Sequence, residues 1–127
     1  MDLLLDTHVF VWWHGGVSRL GEQATDLISA ADNRVFVSAA SIWEIAIKRA
    51  GRIVFEGKLA EAVRANGFDA LPCDVEDCEL AGALEWTHAD SFDRMIVAQA
   101  QRRALTLITA DRIIMAWPSV ATIPAQS

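Results

Sequence analysis

Residues 90–111 read Asp90-Ser91-Phe92-Asp93-Arg94-Met95-Ile96-Val97-Ala98-Gln99-Ala100-Gln101-Arg102-Arg103-Ala104-Leu105-Thr106-Leu107-Ile108-Thr109-Ala110-Asp111. The first part, 91–104, is a helix by its residue types and length, with Met95, Ile96, Ala98, Gln99 and Arg102 spread around it. The second part, Leu-Thr-Leu-Ile-Thr at 105–109, is rich in β-branched residues and reads as a strand. Acids bracket the unit: Asp90 and Asp93 open the helix, and Asp111 follows the strand after one residue. A helix that feeds a strand in this way is half of a βαβ crossover.

Outward from this unit the alternation continues. Leu3-Leu4-Leu5 is a short apolar run that ends at Asp6, as a buried strand would. Residues 9–13 continue apolar up to the breaker Gly15-Gly16. Leu20, Ala24, Leu27, Ile28 and Ala31 recur at helical spacing. Residues 34–38 (RVFVS) read as a strand, and 41–50 as a helix with Ile42, Ile45 and Ala46 on one face, closed by Gly51. A helix over 59–65, a short strand over 68–73 and a helix over 75–86 with Leu80, Ala83 and Leu84 inward precede the opening unit. A short helical stretch over 112–117 and a last strand over 120–123 follow it. Strands separated by helices imply right-handed crossovers and a mostly parallel sheet, an α/β fold.

In open α/β sheets the functional site lies outside the carboxyl ends of the strands. Asp6, Glu44, Asp90, Asp93 and Asp111 are the acids that this pattern sends there, from four chain segments. Each also has an ordinary explanation. Asp6 could begin a turn, Ser41-x-x-Glu44 matches a capping box, and Asp90, Asp93 and Asp111 could serve helix starts. Taken together they point to a cation, because gathered carboxylates repel one another. Oxygen ligands select Mg²⁺ or Mn²⁺, which can activate a water and stabilise charge on a phosphodiester.

Composition is consistent with this. The chain has 127 residues, 53% of them hydrophobic and 22% charged, enough for one domain with one core. No apolar run has the length of a membrane span, and the N-terminus carries acids where a secretory signal carries Lys or Arg, so a cytoplasmic protein is expected. Cys73 and Cys78 are expected as reduced thiols. A net charge of −6 argues against a module that coats nucleic acid through its general field. If the five acids sit in one site, 12 others face 11 Lys and Arg, which is nearly neutral.

Four blocks resemble the PIN-domain family, and VapC-type toxins within it. Leu3-Leu4-Leu5-Asp6-Thr7-His8 is similar to its opening strand and acid. Val37-Ser38-Ala39-Ala40-Ser41-Ile42-Trp43-Glu44-Ile45 is similar to its S-x-x-S-x-W-E-I segment. His88-Ala89-Asp90-Ser91-Phe92-Asp93-Arg94-Met95-Ile96-Val97-Ala98-Gln99-Ala100 is similar to its H-x-D-P-F-D-R-L-L-x-A-Q-A block, with Ser91 in place of Pro. Leu107-Ile108-Thr109-Ala110-Asp111 is similar to its final L-V-T-x-D strand. The blocks occur in the family's order and cover essentially the whole chain.

The resemblance implies a single PIN domain over 1–127, a three-layer α/β/α fold with a central, mostly parallel sheet flanked by helices. It implies an endoribonuclease that uses Mg²⁺ or Mn²⁺, the toxin of a toxin–antitoxin pair, held by an antitoxin and usually a homodimer. The core acids would be Asp6, Glu44, Asp93 and Asp111, with Asp90 an added acid near the metal. Thr7 and Thr109 would support the site through their hydroxyls, and Ser41 belongs to the matched second block. His88 would help hold the loop before Asp90.

Arg94 and Arg112 lie beside acids of the site, where either could meet a substrate phosphate, although a solvated or helix-pairing arginine is the more ordinary reading of each. Arg102-Arg103 is explained by the helix dipole. Of five tryptophans, Trp43 fits a buried-helix pattern, whereas adjacent Trp12 and Trp13 cannot both face inward, so one is a candidate dimer or antitoxin contact. The rival enzyme is a phosphatase of the haloacid-dehalogenase kind. It needs an Asp where His8 stands and a catalytic Lys, and Lys48 and Lys58 are not placed next to a strand end. The rival outside enzymes is a catalytically silent PIN-like binding module, which the full acidic set argues against.

Overall fold

The computed structural model describes residues 1–16 and 19–126. Its strands are β1 (Asp2–Leu5), β2 (Arg34–Ser38), β3 (Asp69–Leu71), β4 (Thr106–Thr109) and β5 (Thr122–Pro124). The helices are α1 (Thr7–Gly15), α2 (Glu22–Ser29), α3 (Ala39–Lys48), α4 (Leu59–Ala65), α5 (Val75–Ala83), α6 (Ser91–Arg103) and α7 (Arg112–Met115). The strands form one sheet in the order β3-β2-β1-β4-β5, every pair parallel. The alternation read from the sequence is this fold.

Side chains alternate across the sheet and divide the core into two layers. Leu3, Leu5, Val35, Val37 and Ile108 pack with Val9, Phe10, Ile28, Ile45 and Val63 from α1 to α4. Leu4 and Leu107 face the other way, onto Ala81 of α5, Ile96, Val97 and Ala100 of α6, and Ile114 of α7. Leu3, Leu4 and Leu5 are all fully buried, which is why β1 reads as an unbroken apolar run. The sheet is therefore the middle of three layers.

The strand order positions the site. From β1 the chain moves to β2 and β3 on one side, and then returns to place β4 and β5 on the other. The connections leaving β1 and β4 therefore diverge, and a crevice opens at the carboxyl ends of those two strands. Asp6 and Asp111 lie there, one residue past β1 and two past β4.

Several boundaries shift, for local reasons. Helix α3 begins at Ala39 because Ser38 is its N-cap, its hydroxyl accepting from Ala40 N. The Ser41–Glu44 capping box does not form: both residues lie inside the helix and are buried. The inward stripe is Ala40, Ser41, Glu44 and Ile45, and Ala46 is exposed. Trp43 consequently points outward and is 63% exposed, contrary to the buried-helix reading, with Phe92 edge-on at 5.2 Å. Helix α5 stops at Ala83, short of Trp86, and its buried residues are Asp77 and Ala81, with Ala83 exposed. Both cysteines are free thiols.

Arg102 and Arg103 do more than complement a helix dipole. Arg102 bonds Asp74, Glu76 and Asp77, and Arg103 bonds Asp74 and Asp77, tying α6 to the start of α5. Burial alone would raise the Asp77 carboxyl, but hydrogen bonds from Arg103 and Arg102 hold it well below the usual range. No helix among the described residues is long and apolar enough to cross a membrane.

Candidate functional site

Asp6 directly follows β1 and caps α1. Its Oδ1 accepts from Thr7 N at 2.7 Å, and its Oδ2 accepts from the Thr109 hydroxyl at 2.6 Å. The same Thr109 oxygen accepts from Asp111 N at 3.0 Å, so one hydroxyl from β4 joins two acids. Asp6 N donates to Ile108 O, which ties the end of β1 to β4. Asp111 caps α7 through Ile113 N and Ile114 N, as its ordinary reading predicted.

The acid on α3 is reached from the other direction. The Thr7 hydroxyl donates to Glu44 Oε1 at 2.6 Å and also lies 3.0 Å from Ser41 Oγ. Lys48, one turn along α3, donates to Glu44 Oε2 at 2.5 Å. Both Glu44 oxygens are thus engaged within the protein. On α6, Asp90 is the N-cap and accepts from Asp93 N. Asp93 is not its capping partner, because the Asp93 carboxylate turns to His88 Nε2 at 2.7 Å.

The five acids predicted from sequence, Asp6, Glu44, Asp90, Asp93 and Asp111, line one cleft of about 320 Å³ together with His8, Trp12, Lys48 and Ala110. His88, behind the lining, and Asp93 and Asp111 from it bring donor atoms within 4.8 Å of one another. The carboxylates oppose one another's ionisation. Burial pushes Asp93 up to about 6, against the His88 hydrogen bond, and Asp6, Asp90 and Asp111 add to the rise. Burial also raises Asp6, although Thr109 and Thr7 hydrogen-bond to its charged form.

This donor set fits a divalent cation of the hard kind: carboxylate oxygens from several segments, one imidazole nitrogen, and crowded negative charge that a cation would relieve. Thr7, Ser41 and Thr109 stand behind the acids and fix their orientation, as second-layer hydrogen bonds do around metal ligands.

Two readings need correction. Arg94 does not face this cleft towards a phosphate. Its guanidinium donates to the carbonyls of Ala81, Gly82, Leu84, Trp86 and His88, pinning the segment between α5 and α6. Five carbonyl acceptors hold a planar fork in one place, so the residue supports the site only by fixing the backbone at His88. Lys48, weighed from sequence only as the catalytic Lys of the phosphatase rival, was missed as a residue of this site and lines the cleft from the end of α3. Its spacing of four from Glu44 was the available signal. His88 was read only as a loop-holder, and its ring also joins the donor group with Asp93 and Asp111. No helical spacing reveals this, since its partner Asp93 lies across the turn that starts α6.

Comparisons with known proteins agree with this geometry. The family model described as PIN domain matches residues 3–116. Curated protein sequences give no match. Among solved structures, the chain is similar to one in VapBC2 of Rickettsia felis bound to a DNA fragment from its promoter, at 14% identity, TM-score 0.69, and 98% coverage of each chain. It is similar to one in the DNA-bound VapBC of Salmonella typhimurium, at 16% identity, TM-score 0.66 and 98% coverage of each. A toxin–antitoxin complex from Klebsiella pneumoniae gives 18% identity, TM-score 0.63 and 95% coverage of each. At such identities these structures speak for the fold.

Proposed function

Because this chain belongs to the PIN domain family, we propose that it is a metal-dependent endoribonuclease, the toxin of a toxin–antitoxin pair, acting as one domain over 1–127. The observation that carries this reading is the convergence of five carboxylates on one cleft at the switch point of the sheet. Asp6, Asp93 and Asp111 would hold Mg²⁺ or Mn²⁺, with Asp90 beside them and His88 joined to Asp93. Such an ion, when bound, supplies a water of lowered pKa and neutralises charge on a phosphodiester.

The protein's own residues prepare that chemistry. Thr109 holds Asp6 and the backbone of Asp111 in one register, so neither acid needs to reorganise when substrate arrives. Glu44, fixed by Thr7 and Lys48, sets a carboxylate at the far wall, where it can orient the attacking water. Lys48 places an ammonium in the same cleft, available to a phosphate oxygen. Water enters at phosphorus, the ester P–O bond breaks, and the departing oxygen takes a proton.

Solved structures similar to this chain carry the printed names of toxin–antitoxin complexes, and an antitoxin protein is the partner proposed from them; a second copy of the chain and an RNA substrate are proposed from the family resemblance alone. The exposed Trp43 and the apolar cleft it shares with Ala39, Ala40 and Met95 give such partners a surface.

The test is cleavage of RNA by purified, antitoxin-free protein in Mn²⁺, Mg²⁺ or EDTA. Asp6→Asn and Asp93→Asn are purified identically alongside. Metal-dependent cleavage lost in both variants is the expected result. Cleavage that persists in the variants would mean a contaminating ribonuclease. No cleavage and no metal binding would favour a silent binding module.

A further inference from the structure

A second cleft opens beside the acidic one and shares two of its walls, His8 and Trp12. Its other lining includes Arg19, Arg52 and Val54. Its character is opposite to that of its neighbour. The Arg19 guanidinium lies over the Trp12 ring, 5.6 Å from its centroid. Arg52 is anchored by its backbone N–H to Lys48 O at the end of α3, while its side chain is exposed. Among the described residues, neither Arg19 nor Arg52 makes an ion pair with a carboxylate. Two guanidinium groups without an anion thus stand at the mouth of a site built from carboxylates, in a protein of net charge −6.

That arrangement suits one kind of ligand. A polyanion approaching the acidic cleft is repelled by it and by the protein's overall charge, so it needs local cations beside the reacting position. The face of Trp12 already accepts a flat cationic group, the guanidinium of Arg19, and a base has the same flat shape. Aromatic faces combined with arginines are what single-stranded nucleic acid uses: bases stack and phosphates pair with guanidinium groups. The cleft measures about 350 Å³, within the range of small-molecule sites.

We propose that this cleft is a substrate subsite that binds a nucleotide of single-stranded RNA next to the phosphodiester held in the acidic cleft, its base taking the place over Trp12 that the Arg19 guanidinium fills in the free protein and its phosphate pairing with Arg52 and the displaced Arg19. The inference rests on the nuclease reading for its choice of ligand. It adds to that reading where the strand leaves the reacting centre and what grips it there.

The experiment measures binding apart from cleavage. Antitoxin-free protein is titrated into a fluorescein-labelled, mixed-sequence 12-nucleotide RNA in EDTA, with anisotropy read at several salt concentrations. The variants are Arg19→Ala with Arg52→Ala, Trp12→Phe, Trp12→Ala, and Arg34→Ala as a control for charge at the opposite end of the sheet. The arginine pair is expected to weaken binding about tenfold and to lower the salt slope by about 0.7, the contribution of one neutralised phosphate in a single strand. Trp12→Ala is expected to weaken binding with the slope unchanged, and Trp12→Phe to retain most of it. Both arginines are exposed, so their variants keep the fold, and melting curves verify it.

Wild-type protein that does not bind the RNA overturns the proposal. So does an arginine pair no weaker than Arg34→Ala, or one that loses only affinity for an antitoxin. Binding that depends on the arginines in a protein that cleaves nothing upholds the subsite and overturns the nuclease reading. Cleavage with KM unmoved in the arginine pair does the reverse.

Discussion

Asp93→Asn should make the metal-free protein more stable while abolishing its activity. The Asp93 side chain is 15% exposed and hydrogen-bonded to His88. Its carboxyl titrates at about 6 in the fold against 3.8 ordinarily, through burial first and then the charges of Asp6, Asp90 and Asp111. A carboxyl whose folded pKa is raised favours folding fully below about pH 3.8, and that advantage is lost as pH rises through about 6. At pH 8 the charged group therefore opposes folding. At 1.36 kcal/mol per pKa unit the gap corresponds to at most about 3 kcal/mol, and relaxation around a partly exposed group reduces it to about 1–3 kcal/mol. Asn keeps a hydrogen bond to His88 and removes the charge. For a chain of this size, that amounts to a rise in melting temperature of roughly 4–12 °C. Melting curves in EDTA at pH 8 and pH 4 measure it, and the difference should vanish at pH 4. With Mg²⁺ at about a hundred times its Kd the wild type should regain about 2.7 kcal/mol, and the variant little. A variant no more stable than wild type at pH 8 in EDTA would refute the reasoning, because the carboxylates would then not be in conflict.

Other perturbations separate scaffold from site. Asp77→Ala should cost about 3 kcal/mol, since it leaves Arg102 and Arg103 without their buried partner; urea melts read it, and cleavage by the folded variant should be unchanged. Because the folded Asp77 carboxyl is held low, its stabilisation is present above about pH 4 and is lost as pH falls further, so Asp77→Ala and wild type should converge in acid melts. Arg94→Ala should destabilise by about 2–3 kcal/mol by freeing five carbonyls around residues 81–88; hydrogen exchange should rise across that segment before it rises in β1. Ala104 holds φ 53 at the C-cap of α6, so Ala104→Gly should stabilise by about 1 kcal/mol in the same melts, and no gain would mean that the left-handed turn is not strained.

The fold was legible because its strands carry unmistakable patterns. Leu3–Leu5 and Leu107–Ile108 are buried on both faces of a parallel sheet, and no other element type explains an apolar run so short. Each acid was also placed correctly along its segment, because helix starts and strand ends are marked by local chemistry. Sequence reading failed where a face is polar for a tertiary reason. The inward stripe of α3 contains Ser41 and Glu44, which are buried because Thr7 reaches them from α1, and periodicity in apolar residues instead turned Trp43 inward. The length of α5 was overread for a similar cause: Leu84 and Trp86 continue an apolar pattern, but the carbonyls of Leu84 and Trp86 are taken by Arg94 from another helix. Arg94 was read as a possible phosphate contact because it adjoins Asp93, but adjacency in sequence says nothing about where a long side chain ends.

The hydrogen bond from Thr109 to Asp6 spans 103 positions of the chain. A ribosome adding about 5–20 residues per second needs roughly 5–20 s to travel from one to the other. Through that interval the nascent polypeptide carries Asp6 but lacks β4, the strand that orients it and that brings Asp111 to its side. No N-terminal piece that stops before residue 111 holds the whole cluster. In a nuclease of the kind proposed, every nascent length before residue 111 would therefore lack the reactive centre, and the danger to RNA would begin only once β4 and Asp111 have joined Asp6.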